Sequence, residues 1–152
     1  MISKLRNYTS EVPVSRSLEL IDHRLVQAGA KNILRTYSAD KRVEGMVFTL
    51  PGPNGLGDLP VELPARVDQV EAMMRKRCPR PPRDPRKLRD QAERTAWKNL
   101  AEWVDIQLLL IELHQVEPLE VFLPYLHDPK RKKTFYGLVK ESGFKMLPGG
   151  AL

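Results

Sequence analysis

The sequence predicts an α+β protein: a small three-stranded antiparallel sheet packed with helices in the order helix-β-β-β-helix, followed by a long C-terminal helix and short helices. Three observations carry this. Residues 88–115 contain no Gly and no Pro and are rich in Ala, Leu, Glu, Lys, Gln and Arg, the composition of one long helix. Residues 33–63 hold three short β-branched or aromatic runs separated by turn residues. Amphipathic segments with three- and four-residue spacing stand on both sides of those runs. A chain of 152 residues fits one domain. Within it, residues 1–77 read as an α/β layer, 78–87 as a basic proline-rich linker and 88–152 as a helical part.

The elements follow in order. Residues 1–14 include Tyr8, Val12 and Val14 and suit an edge strand or an arm. Ser15 or Ser17 can cap a helix that runs to about Ala28, with Leu18, Ile21, Leu25 and Ala28 as its apolar stripe and Gly29 at the left-handed cap position. His23 falls away from that stripe, as a surface residue does. Residues 33–37 and 43–50 make a hairpin about Ala39-Asp40-Lys41. The loop Pro51-Gly52-Pro53-Asn54-Gly55-Leu56-Gly57 is dense in turn residues. It lacks the Gly-Lys-Ser/Thr and the following helix of a phosphate-binding loop, so it reads as a hairpin connection. Residues 59–63 are a third strand, and Pro60 and Pro64 suggest a sheet edge or a strand end. Residues 65–77 are a helix whose Val67, Val70, Met73 and Met74 line one face as core filler. Helix, three strands, helix is also the order of the double-stranded-RNA-binding domain, whose second helix begins with a basic cluster. Ala65-Arg66-Val67-Asp68 lacks that cluster, so the likeness rests on element order alone.

Residues 78–85 (CPRPPRDP) hold four prolines and run extended. Asp84-Pro85 can then cap the long helix. In its first half Ala92, Ala96, Trp97, Leu100, Ala101 and Val104 form the apolar face, opposite Arg94, Lys98, Glu102 and Asp105. From Trp103 to Leu113 it is apolar almost all round, which predicts burial on more than one side, inside a core or between subunits. Asp105 and Gln107 need partners if that part is buried. Trp97 and Trp103 lie about 120° apart in helical angle, so one can face the core and the other a partner subunit. The expectation is a homo-oligomer formed through residues 88–115. Pro118 starts a short helix, Val121, Phe122, Tyr125 and Leu126 look buried, and Pro124 limits or kinks the helix. Residues 134–141 form a last amphipathic helix, and residues 147–152 fray.

Charge narrows the function classes. At 41% hydrophobic and 29% charged the composition is that of a soluble globular domain. No apolar run approaches the roughly 20 residues of a membrane span. The segment MISKLRNYTSEV has no apolar signal region, so a cytosolic location is expected. Cys78 is the only cysteine, which excludes an internal disulfide and any multi-cysteine metal site. The net charge of +6 is local. Residues 75–89 hold eight basic residues (Arg75, Lys76, Arg77, Arg80, Arg83, Arg86, Lys87 and Arg89) against Asp84, a net +7 that leaves −1 for the rest. Lys130, Arg131, Lys132 and Lys133 make a second basic turn. Such blocks mark a phosphate-bearing partner. A solvated linker kept soluble by charge has the same composition.

No catalytic constellation is present. The serine-hydrolase, zinc-protease, Walker and calcium-loop patterns are all absent. His114 and His127, with Glu112 or Asp128, can form a metal site, although exposed or satisfied histidines are commoner. Glu102, Asp105 and Glu112 read as a solvated face with a Lys98–Glu102 pair. Cys78 stands between Arg77 and Arg80, cations that favour the thiolate, but no neighbouring base makes it a nucleophile. No enzyme, cofactor or metal is expected.

The segments YTSEVPVSRSLELIDHRLVQAGAKNI, DLPVELPARVDQV, QAERTAWKNLAEWVDIQLLLIE and VFLPYL resemble a family of small uncharacterised phage and prophage proteins. Gln91, Ala92, Arg94, Ala96, Trp97, Trp103, Gln107 and the run Val121-Phe122-Leu123-Pro124-Tyr125 carry the resemblance, which covers most of the chain. The family has no established activity to transfer. The resemblance implies a viral protein acting in a bacterial cytoplasm, where small basic proteins serve DNA replication or recombination or blunt host defences.

The leading expectation is therefore a non-enzymatic phage accessory protein that contacts nucleic acid through residues 75–89 and 130–133, with Tyr136 or Phe135 adding stacking. The alternative is a host-defence antagonist. It would sequester a nucleotide signal with Arg94, Lys98 and arginines of the basic loop, or bind an acidic surface of a host protein.

Overall fold

The computed structural model describes residues 5–149. Residues 5–13 form turns and extended chain, not the edge strand allowed for residues 1–14, of which 1–4 lie outside the described residues. Pro13 is extended (φ −60°, ψ 148°), and α1 (Val14–Gln27) begins directly after it. Neither Ser15 nor Ser17 caps α1. The fixed φ of Pro13 sets the start, and Ser17 is buried against the core. Gly29, at φ +98°, ends α1 as expected.

Strands β1 (Ile33–Tyr37), β2 (Val43–Pro51) and β3 (Asp58–Pro64) form one antiparallel sheet in that order. Ile33, Phe48 and Val61 are in register, as are Arg35, Met46 and Leu63. Strand alternation therefore turns Met46, Phe48, Leu50, Val61 and Leu63 to the helical side, where all five are buried. The loop between β2 and β3 is a hairpin connection. Gly52 N–H donates to the Gly57 carbonyl (2.8 Å), and a Cβ at Gly52 would collide with that oxygen.

The next helix starts later than expected. Ala65 N–H still belongs to the sheet, donating to Glu44 O (2.9 Å), and Arg66 adopts a left-handed conformation (φ 54°). Helix α2 (Val67–Arg77) follows. The long helix starts at the Asp84-Pro85 cap, three residues ahead of the uninterrupted stretch from residue 88. In α3 (Pro85–Glu112) the Asp84 carboxylate accepts from Arg86 N–H (3.0 Å) and Pro85 takes the first turn. The linker is thus 78–84, and Arg86 and Lys87 stand on a helix rather than in it.

Helix α3 packs against α1 and α2 and covers the layer. Leu88, Ala92, Ala96, Trp97, Ala101, Val104 and Leu108 join one core with Leu18, Ile21 and Leu25 of α1 and the inner face of the sheet. Trp97 is fully buried, and its Nε1–H donates to Val43 O (3.3 Å).

Beyond α3 come α4 (Pro118–Phe122), a 3₁₀ turn (Leu123–Tyr125), a two-residue-strand hairpin β4 (His127–Asp128) and β5 (Lys133–Thr134), and α5 (Phe135–Glu141). Thr134 caps α5 by accepting from Gly137 N–H (3.2 Å). Leu126 bridges to Val61, so this segment docks beside β3. Phe122 is buried edge-on between Phe48 and Trp103, with centroids 5.8 and 5.9 Å away, and Tyr125 meets Trp103 at 5.6 Å. Trp97 thus faces the core, while the partly buried Trp103 packs against the chain's own C-terminal segment. The end of α3 is not enclosed. Ile106, Leu109 and Leu113 are 53%, 43% and 60% exposed, and Asp105 is exposed and paired with Arg24 (2.7 Å). No helix among the described residues is long and apolar enough to cross a membrane. Of the expected frayed tail, residues 150–152 lie outside the described residues.

Candidate nucleic-acid interface

The eight cations of residues 75–89 divide by whether an acid is in reach. Arg75 pairs with Glu71 one turn back (2.8 Å). Arg89 Nη1 contacts Asp68 (2.5 Å) and Glu71 (3.0 Å), ties α3 to α2, and is held more firmly protonated by the Asp68 hydrogen bond. Both were expected in the interface; these carboxylates occupy them. The other six, Lys76, Arg77, Arg80, Arg83, Arg86 and Lys87, are exposed and form no ion pair among the described residues. They follow one another through the last turn of α2, the linker and the first turn of α3. The only acid among them, Asp84, is engaged as the α3 cap. Arg86 and Lys87 sit at the positive end of the α3 dipole, where the Asp84 carboxylate is the one acid of the segment.

Arg94 and Lys98 do not act as a pair. Arg94 donates from Nε to Ser10 O (3.2 Å) and from Nη2 to Gln91 Oε1 (2.5 Å). Lys98 lines a small cleft between α1 and α3 with Arg24, Glu102 and Asp105. Its neighbours there include carboxylates, and none of the arginines of the basic loop reaches that cleft.

In the second cluster Lys133 pairs with Glu141, and Arg131 lies 4.0 Å from Asp128. Lys130 and Lys132 are exposed and unpaired among the described residues. The Asp128 carboxylate accepts from Lys130 N–H (2.9 Å) and shapes the β4–β5 turn. Phe135 and Tyr136 are partly exposed beside it, with Tyr136 against Phe144 (6.3 Å). The two clusters stand on separate elements, and no ion pair or side-chain hydrogen bond joins them among the described residues.

The arm at residues 5–13 matters more than its sequence suggests. Asn7, at φ 60°, donates from Nδ2 to Asn99 Oδ1 (2.8 Å) and Glu102 Oε2 (3.2 Å), and its carbonyl accepts from Thr95 Oγ1 (2.9 Å). Ser10 O accepts from Gln91 Nε2 (3.0 Å) as well as from Arg94. Gln91, Thr95, Asn99 and Glu102 form a polar stripe beside the apolar face of α3. That stripe is the signal by which sequence reasoning could have found the docking of the arm.

The docked arm, the linker and α3 enclose a groove of about 560 Å³. Tyr8, Thr9 and Glu11 come from the arm, Met74 and Cys78 from the end of α2, Pro79–Pro82 from the linker, and Gln91 and Arg94 from α3. Arg80 and Arg94 thus line one groove. Burial pushes the Cys78 thiol up, so the thiolate expected from the flanking arginines is not favoured.

The titratable candidates are occupied or apart. His23 and His114 are exposed, and His127 Nδ1 lies 2.8 Å from Glu62 Oε2. Glu102 pairs with Arg6, while Asp105 and Glu112 both pair with Arg24. Among the described residues no group of three or more His, Cys, Asp and Glu converges as metal ligands do.

Comparison with family models, curated proteins and solved structures gave no match.

Proposed function

We propose that this chain is a non-enzymatic phage accessory protein that binds nucleic acid through the phosphate backbone, with residues 75–89 as the main contact and 130–133 as a lesser one. The observation that carries this reading is the run of six exposed cations, Lys76 to Lys87, which holds a single acid, Asp84, and forms no ion pair among the described residues. Several arginines elsewhere are paired with carboxylates, Arg24 with Asp105 and Glu112, Arg35 with Asp22 and Arg42 with Asp90 and Glu93, whereas Arg16 and Arg66 stand singly, without an ion pair among the described residues. What sets the six apart is their concentration in one segment, where they repel one another, and a polyanion relieves that repulsion. Backbone contact of this kind carries little sequence readout.

Fluorescence anisotropy with labelled oligonucleotides tests the reading. Reversing Arg80, Arg83 and Arg86 to Glu touches no ion pair of the fold, so the variant stays folded and loses binding by at least a hundredfold. Unchanged binding in a folded triple variant rules this surface out.

A second reading is sequestration of a free nucleotide signal as a defence antagonist, favoured by the presence of both Arg80 and Arg94 in the lining of one groove. Lys98 takes no part in it. Self-association through α3 rests on the exposed Ile106 and Leu109, with Leu113 at the C-cap. A monomer at all concentrations in sedimentation velocity removes that proposal. The chain's place of action, in this reading, is the bacterial cytoplasm.

A further inference from the structure

We propose that the groove between the arm and the linker receives one unpaired nucleobase, so that the nucleic acid this protein prefers is single-stranded. The inference rests on the backbone-binding reading and names its substrate class. The groove and the basic run share a wall. Arg80 belongs to both, and Arg77 and Arg83 flank the linker prolines that close the groove. A strand whose phosphates follow the six free cations therefore passes the groove mouth.

The lining suits a base rather than a phosphate. The half-buried Tyr8 ring and the rings of Pro79, Pro81 and Pro82 offer apolar surface to a flat heterocycle, with the buried Met74 beneath them. Gln91 and Arg94 supply polar atoms, and Arg94 is held in one orientation by Ser10 O and Gln91, with no hydrogen bond from its Nη1 among the described residues. Glu11, on the same wall, repels a phosphate inside the groove but accepts hydrogen bonds from the amino or imino groups of a base. The base goes in and the phosphates stay at the arginine rim. The volume, about 560 Å³, lies within the roughly 300–1,000 Å³ of small-ligand sites. A duplex keeps its bases stacked and paired and must flip one out to use the groove.

The test uses the full chain and four probes: labelled oligothymidylate, the same strand in a duplex, an abasic strand of equal length, and free thymidine monophosphate. The thymidine strand is expected to bind about tenfold or more tighter than either the duplex or the abasic strand. Tyr8→Ala is expected to remove about fivefold or more of that affinity, the lower range for loss of one base–aromatic stack, and to leave the abasic strand unaffected. Equal affinity for thymidine and abasic strands overturns the inference without recourse to any variant, and leaves backbone binding intact. Free nucleotide bound as tightly as the strand overturns it in favour of sequestration. Failure of every probe to bind at low salt removes the backbone reading and this inference together.

Discussion

At the scale of single residues, partners decide what a charge does. Arg89 and Arg86 are three positions apart, yet Arg89 is occupied by Asp68 and Glu71 while Arg86 is free. The acids come from α2, about twenty positions earlier, so no local pattern announces them. Glu102 illustrates the same rule and makes it measurable. The hydrogen bond from Arg6, with a further one from Asn7, holds its carboxyl below the usual glutamate range despite partial burial. A depressed folded value means stabilisation that is complete above the unfolded value of roughly 4.3 and is lost as the pH falls through the lower folded value. Docking of the arm should therefore weaken below about pH 4.3, read as faster amide exchange at residues 7–10 on acidification. Glu102→Gln should remove that part of the acid response. An identical acid response in the variant would show that Glu102 does not hold the arm.

At the scale of elements, what was legible depended on whether the determinant was local. The start of α3 was readable because Asp84 and Pro85 are adjacent and each acts on its own helix. The end of α1 was readable from Gly29 for the same reason. The start of α2 was not, because Ala65 is held by Glu44 across the sheet, and that pairing postpones the helix past Arg66. The β4–β5 hairpin shows in the sequence only as a basic turn, since two-residue strands leave no periodicity, and Leu126 bridges to Val61 beside it. Phe122 looked buried in sequence, but its partners did not show. It joins the sheet to α3 through Phe48 and Trp103. Phe122→Ala should cost about 3–5 kcal/mol in urea unfolding and shift tryptophan emission to the red as Trp103 loses its cover. Loss of stability with unchanged emission would place the damage elsewhere than at Trp103.

At the scale of the whole molecule, the sequence located the excess charge but not the surface it makes. The block was visible as +7 against −1. The groove was not, because its walls come from residues 8–11, 74–82 and 91–94, brought together only when the arm docks on α3. The folded distribution of charge yields a quantity that a solvated linker would not share. Each neutralised phosphate on a single strand contributes about −0.7 to the slope of log affinity against log salt. A short strand that reaches only the six free cations of residues 76–87 should give a slope of about −4. Lys130 and Lys132 stand on a separate hairpin, so a longer strand that reaches both clusters should steepen it to about −6. Replacing Lys130 and Lys132 by Gln should return the longer strand to the shorter strand's slope and leave the short strand unchanged. A slope near zero on both strands would mean that the free cations keep the linker solvated and neutralise no phosphates. A slope that ignores strand length would confine the interface to the end of the molecule where α2 hands over to α3.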